Sequence, residues 1–159
     1  MSEKITLEEL VALRNKLEEM EEQEEIDTNY DSTLLDRKII MKDIASRLKS
    51  SEIIKERNFD RIAVGTAFYG RFLKDDQGQF GEIARYMLVN SNNYNLNPEF
   101  LSKTSPLGQA VMGKRDNDII FYDVVDEMGT TKSIVFYIDS IDRNYNNYVT
   151  DTNSKGRAR

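Results

Sequence analysis

The chain predicts an α+β fold: an N-terminal antiparallel helical hairpin followed by an antiparallel β domain with one short helix. Three observations carry this reading. Apolar residues recur first at heptad spacing and later in short runs of strand length. The change of period falls near Arg61. Charge is segregated as well. The first 31 residues hold eleven acids and three bases, a local balance of −8 in a chain of net charge −6, so the remainder sums to +2.

The elements follow in order. Thr6-Leu7-Glu8-Glu9 is a capping box that starts the first helix. Leu10, Leu13, Leu17 and Met20 follow at spacings of three, four and three, an a/d seam narrow enough for one partner helix. The helix is expected to fade near Asp27, where Asp27 to Ser32 supplies turn formers. A second helix starts at Asp31 or Ser32, carries Leu34, Met41, Ile44 and Leu48 at heptad spacing with Ile40 beside them, and ends around Ser50–Ile54. Its flank is basic (Arg37, Lys38, Lys42, Arg47, Lys49), which suits an antiparallel partner whose flank is acidic.

Beyond Arg61, Ile62 to Leu73 reads as a strand and Asp75-Asp76-Gln77-Gly78 as a turn. Ile83 to Val89 is a second strand and Asn90 to Pro98 an Asn-rich loop. Pro106 to Met112 reads as a short helix, with Ser105 as N-cap, Pro106 at N1 and Gly113 at its end. Ile119 to Val125 and Ser133 to Ile141 are further strands about a Met128–Thr131 turn. Tyr69, Tyr86, Tyr122 and Tyr137 sit in strands and are expected in the core. These readings divide the chain into a hairpin over 5–54, a linker over 55–60, a β domain over 61–143 and a tail over 144–159. The tail is Asn-rich, then basic, without apolar pattern, and is expected to be disordered.

Composition narrows the chemistry. The chain has no Cys and no His, which excludes disulfides, thiolate or imidazole metal sites and Ser-His-Asp triads. Acid–base or metal chemistry would have to run on carboxylates, Lys, Tyr or hydroxyls. Net acidity argues against free binding to a nucleic-acid backbone. No apolar run reaches the ~20 residues of a membrane span, and no signal-peptide pattern is present, so a cytoplasmic protein is expected.

The block Leu101-Ser102-Lys103-Thr104-Ser105-Pro106-Leu107-Gly108-Gln109-Ala110-Val111-Met112-Gly113-Lys114, then Asp116, Asn117, Asp118 and the strand Ile119–Tyr122, resembles the C-terminal domain of Gre-type transcription elongation factors (the GreA, GreB and Rnk group). Asp43 to Ile54 resembles the end of the second coiled-coil arm in the same family. The resemblance spans about residues 5–142 and implies a coiled-coil hairpin followed by an FKBP-like domain. It also implies RNA polymerase as the partner, with the hairpin entering the secondary channel and RNA or DNA met only within the elongation complex. No membrane partner is implied, and the protein is expected to be a monomer and not itself an enzyme.

By the same resemblance, Thr104, Ser105 and Pro106 are the polymerase-docking residues; Thr104 stands where the family has Asp or Asn. Asp27, with Glu25 and Asp31, supplies tip carboxylates, and Asp27 is the candidate ligand for a Mg²⁺ shared with the polymerase. The arms are shorter than the family's by roughly seven residues each, about 10 Å of reach. Modulation of elongation is therefore favoured over strong stimulation of backtracked-transcript cleavage. Two other readings stay open: the FKBP-like fold that the resemblance implies used as a prolyl isomerase or chaperone, and a coiled-coil adaptor for a non-polymerase partner.

Overall fold

The computed structural model describes residues 4–26, 33–54, 60–74, 78–91, 94 and 96–144, and for 23–26 and 33–35 it describes the backbone alone. The chain divides into two compact units, one of Met1–Ile54 with Asn93–Asn97 and one of Lys55–Asn92 with Pro98–Arg159.

In the first unit, β1 (Lys4–Ile5) leads into α1 (Leu7–Ile26), and α2 (Thr33–Ser50) leads into β2 (Glu52–Ile53). Thr6 caps α1, its Oγ1 accepting from the Glu9 amide at 3.0 Å. The heptad seam is the core. Leu13, Met20 and Ile44 are buried with Ile5, and Leu10, Leu17, Ile40, Met41 and Leu48 pack around them. Each fully buried Leu or Ile contributes about 1.5–3 kcal/mol relative to exposure. The first turn of α1 meets the last turn of α2 through Arg47 Nη2, which donates to Glu9 Oε1 at 3.2 Å. Just beyond, β1 and β2 pair in parallel, Lys4 with Glu52 and Ile5 with Ile53. The Ile54 amide donates to the Ile5 carbonyl at 2.8 Å. Strands of two residues are too short to give a period, which is why the sequence does not announce them.

Tyr94 and Leu96 join this core from the Asn-rich segment. The Tyr94 hydroxyl donates to the Asp43 carboxylate. Burial, and then that hydrogen bond, push the Tyr94 phenol up from its ordinary value. The loop expected over Asn90 to Pro98 therefore has a packing role that its polar composition conceals.

The second unit is a five-stranded sheet of order β5-β4-β3-β7-β6. Its strands are β3 (Ala67–Phe72), β4 (Ala84–Val89), β5 (Phe100–Ser102), β6 (Ile119–Val125) and β7 (Thr131–Ile141), with α3 (Pro106–Val111) between β5 and β6. The expected all-antiparallel sheet needs correcting: β5 lies parallel to β4, with Met87 opposite Phe100. A three-residue strand embedded in the Leu101–Lys114 block carries no alternation to reveal it. The first strand also starts later than Ile62. Gly65 at φ 98° breaks the extended run, and the Thr66 amide turns back to the Ala63 carbonyl. Ile62 is still buried, bonding through its backbone to Gly113 and Lys114 after α3.

Phe68, Leu88, Val111, Ile120, Phe136, Ile138 and Ile141 form the core of the second unit, with Tyr86 and Tyr122 half-buried against it. A register shift between Tyr69 and Gly70 sets Gly70 under Phe136, where an added Cβ would stand 2.2 Å from the ring. The turn expected over Asp75–Gly78 lies partly outside the described residues, but Leu73 bridges Phe80 across it and Gly78 takes φ 80°. Between β6 and β7, Asp126 Oδ1 accepts from the Met128 and Thr130 amides at 2.9 Å each, and Gly129 takes φ 80°.

Candidate functional site

The Ser102–Gln109 corner joins β5 to α3, and its geometry follows from three side chains of the Ser-Pro block. Ser105 sits at φ −70°, ψ 159°, the extended conformation of an N-cap. Its hydroxyl accepts from the Gly108 amide at 3.0 Å and donates to the Ser102 carbonyl at 2.7 Å. Pro106 needs no amide partner in the first turn and presets the helical φ. Gly108 lets the helix lie on the strand: an added Cβ would stand 1.9 Å from the Ser102 carbonyl oxygen. Leu107 and Val111 anchor the inner face.

Thr104 completes the corner. Its Oγ1 lies 2.9 Å from Ser102 Oγ, and its carbonyl accepts from Gln109 Nε2 at 2.7 Å. Lys103, Thr104, Pro106 and Gln109 are exposed, while Ser105 is half-buried. Both hydrogen-bonding directions of Ser105 are thus used internally, and the outward surface is made by its neighbours. The three docking candidates do come together, with Ser105 as the support and Thr104 and Pro106 as the presented groups. Gln109 belongs to the same surface and was not singled out from the sequence. Its signal was position alone, on the first turn of α3 opposite the buried Leu107.

The tip candidates are a different case. Asp27 and Asp31 lie outside the described residues, and Glu25 is described only as backbone in the last turn of α1. Among the described residues there is no group of three or more carboxylates placed to hold a metal ion.

A second polar cluster was not anticipated. Asp60, Arg115, Asp116 and Arg143 line a cleft of about 450 Å³. Arg143 Nη1 donates to Asp116 Oδ2 at 2.5 Å, and the Ile141 amide to Asp116 Oδ1 at 3.2 Å. Burial pushes the Asp116 carboxyl up, but these bonds outweigh it and hold the group below its ordinary value. The cluster ties the end of β7 to the turn before β6.

The strand aromatics pack on one another. Phe68 stacks on Tyr86 at 5.5 Å, and Phe136 meets Tyr86 and Phe72 edge-on at 5.7 and 4.9 Å. No helix among the described residues is long and apolar enough to cross a membrane.

No protein-family model and no curated protein matches the chain. Among solved structures it is similar to the transcription factor Gfh1, at 21% identity over 89% of this chain and 98% of that one, with a TM-score of 0.37. It is similar to GreA factor homolog 1 of Thermus thermophilus, at 22% identity over 89% and 99%, TM-score 0.35. It is also similar to the transcription elongation factor GreA/GreB from Nitrosomonas europaea, at 15% identity over 89% and 98%, TM-score 0.35.

Proposed function

We propose that this chain is a Gre-type accessory factor of bacterial RNA polymerase, docking through the Lys103–Gln109 corner and placing an antiparallel coiled-coil hairpin in the secondary channel. The observation that carries the reading is the corner itself. The Ser-Pro block that resembles the family folds into a rigid surface with Thr104 and Pro106 presented, suited to a protein partner rather than to a reaction. The seam of Leu13, Met20 and Ile44 supports a hairpin held together by its own two helices.

In this reading the polymerase performs any chemistry and the chain performs none. Asp27, Glu25 and Asp31 act at the hairpin tip by position and negative charge. A Mg²⁺ ligand oxygen must lie within about 2.1 Å of the ion. The proposed role does not depend on such a bond, and the short arms favour modulation of elongation without strong cleavage. In the FKBP-like domain, α3 and the sheet serve as the mount for the corner.

The test is a transcript-cleavage assay on a stalled, backtracked elongation complex, with polymerase binding measured in parallel. Wild type is expected to bind and to leave most RNA intact, while Thr104→Arg weakens binding by about tenfold. Loss of RNA length with wild type but not with Asp27→Ala would show that the tip does deliver a carboxylate. Absence of binding would sink the polymerase reading.

A further inference from the structure

Arg71 lies on β3 between Gly70 and Phe72, which turn toward Phe136 of the core, so its side chain stands on the other face of the sheet. On that face it opposes Tyr137 of β7, and Tyr137 opposes Ile119 of β6. Arg71 Cζ is 5.5 Å from the Tyr137 ring centroid and 5.5 Å from that of Phe80, and the two rings are 5.8 Å apart. The guanidinium therefore rests in the angle between two rings, not in a sandwich, and its outer edge is left open.

Both rings are fixed from behind. The Tyr137 hydroxyl donates to Asn117 Oδ1 at 2.6 Å. Asn117 holds the left-handed φ of 67°, and its amide donates to the Ile138 carbonyl at 2.8 Å. Phe80 is bridged to Leu73, and the amide of Gly81 donates to the Phe72 carbonyl at 2.8 Å. The cation is thus held in place before any ligand arrives.

Its N–H groups are unused. Nε is buried without an acceptor. A buried donor in that state is rare enough in a folded chain to need a cause. Among the described residues the acid in reach is Asp139, whose Oδ1 stands 4.0 Å from Nη2, beyond hydrogen-bonding distance. Nη1 and Nη2 are not buried, and the side chain as a whole is 36% exposed. The surroundings are apolar. Leu73 and Val135 are half-buried on the same face, and Ile119 and Phe121 are 52% and 74% exposed.

A guanidinium that lies on aromatic rings keeps its N–H groups in its own plane, and a carboxylate offers two coplanar oxygens to that fork. A phosphate dianion would meet the Asp139 charge at short range and would lose hydration against the apolar rim. We infer that Arg71 is a binding site for a carboxylate carried on an apolar body, with the oxygens on the Nη edge and the body against Tyr137 and Ile119. A small organic acid and an acidic side chain between aliphatic neighbours share this chemistry. Asp139 competes for the same donors and keeps the binding reversible. Removing its charge strengthens the site, which is the opposite of what a purely structural ion pair would do.

NMR of the arginine Nε–H groups in the full chain tests it, because the covered Nε of Arg71 reports on its own guanidinium. Sodium benzoate, the peptide acetyl-Leu-Glu-Leu-amide and sodium phosphate are each titrated to about 50 mM at constant ionic strength. Benzoate or the peptide is expected to shift the Arg71 signal saturably, and the tighter of the two identifies the source of the carboxylate. Phosphate is expected to bind at least about fivefold more weakly. Asp139→Asn is expected to tighten binding by about threefold. Arg71→Lys, followed on the Tyr137 ring signals, is expected to weaken it by about tenfold, because the charge stays and the fork is lost. If Arg71→Lys fails to fold, the Asp139→Asn comparison decides. The absence of a saturable shift with either carboxylate overturns the proposal. So does phosphate that binds as tightly, or a folded Asp139→Asn that binds no better.

Discussion

Asp116 is a residue whose environment sets a measurable pH dependence. Burial disfavours its charge, but hydrogen bonds from Arg143 and the Ile141 amide hold its folded-state value below the ordinary 3.8. A depressed carboxylate contributes stability that is fully present above the unfolded value and is lost as pH falls through the folded one. Asp116→Asn is therefore expected to be less stable than wild type at neutral pH, by about 1 kcal/mol or less because the pair is partly solvated. The gap should close as pH drops below the unfolded value; urea unfolding across an acid pH series measures it. The sequence displayed Asp116 within the Ser-Pro block, but its partner Arg143 lies 27 residues later in a polar stretch with no local pattern. Ser105 was legible because capping is a local rule. The Asp116–Arg143 pairing was not, because only the folded sheet brings β7 beside the turn before β6.

At the scale of elements, α1 and α2 show what a seam pattern foretells and what it omits. Leu13, Met20 and Ile44 are buried as their spacing requires. The seam does not foretell Glu9, which is fully buried with Arg47 at 15% exposure. Glu9 read as the closing residue of a capping box. Its carboxylate accepts from the guanidinium at the far end of the second helix, a partner that local spacing cannot name. Breaking a buried pair from one side leaves the other charge stranded. Arg47→Met is expected to cost about 3 kcal/mol, and Glu9→Leu with Arg47→Met markedly less. A double-mutant cycle in denaturant, with Glu9→Leu as the other single variant, checks this; a double variant that costs the sum of the two singles would show that the pair is not coupled. The β5 pairing and the late start of β3 escaped for related reasons: three residues make no period, and a left-handed glycine interrupts a run that composition reads as continuous.

The whole molecule consists of two units with separate cores, one built on the seam and one on Phe68, Phe136 and Ile138. Their separateness was visible in the change of period near Arg61. The membership of Asn93–Asn97 was not, since a lone tyrosine and a lone leucine among asparagines give no signal. Residues 55–159 expressed alone are expected to keep cooperative unfolding and near-ultraviolet dichroism. In that fragment Tyr94→Ser with Leu96→Ser is expected to change stability by no more than about 0.5 kcal/mol, against roughly 2–4 kcal/mol for the hairpin in the full chain. A fragment that melts without cooperativity would show that its core is insufficient by itself. The segregated charge is set by one element: α1 holds eight of the eleven acids that precede residue 32, and the body is left nearly neutral.

The contact between Gly70 and Phe136 has a bearing on motion. A phenyl ring turns over only when its surroundings dilate, and here one face of the ring rests on a main chain with no side chain to swing away. The glycine backbone belongs to β3 and the ring to β7, so on this side the space needed for a half-turn comes from the two strands parting. The flip rate of this one ring is thus a clock for the breathing of the sheet, set by the same missing methyl that allows the strands to close.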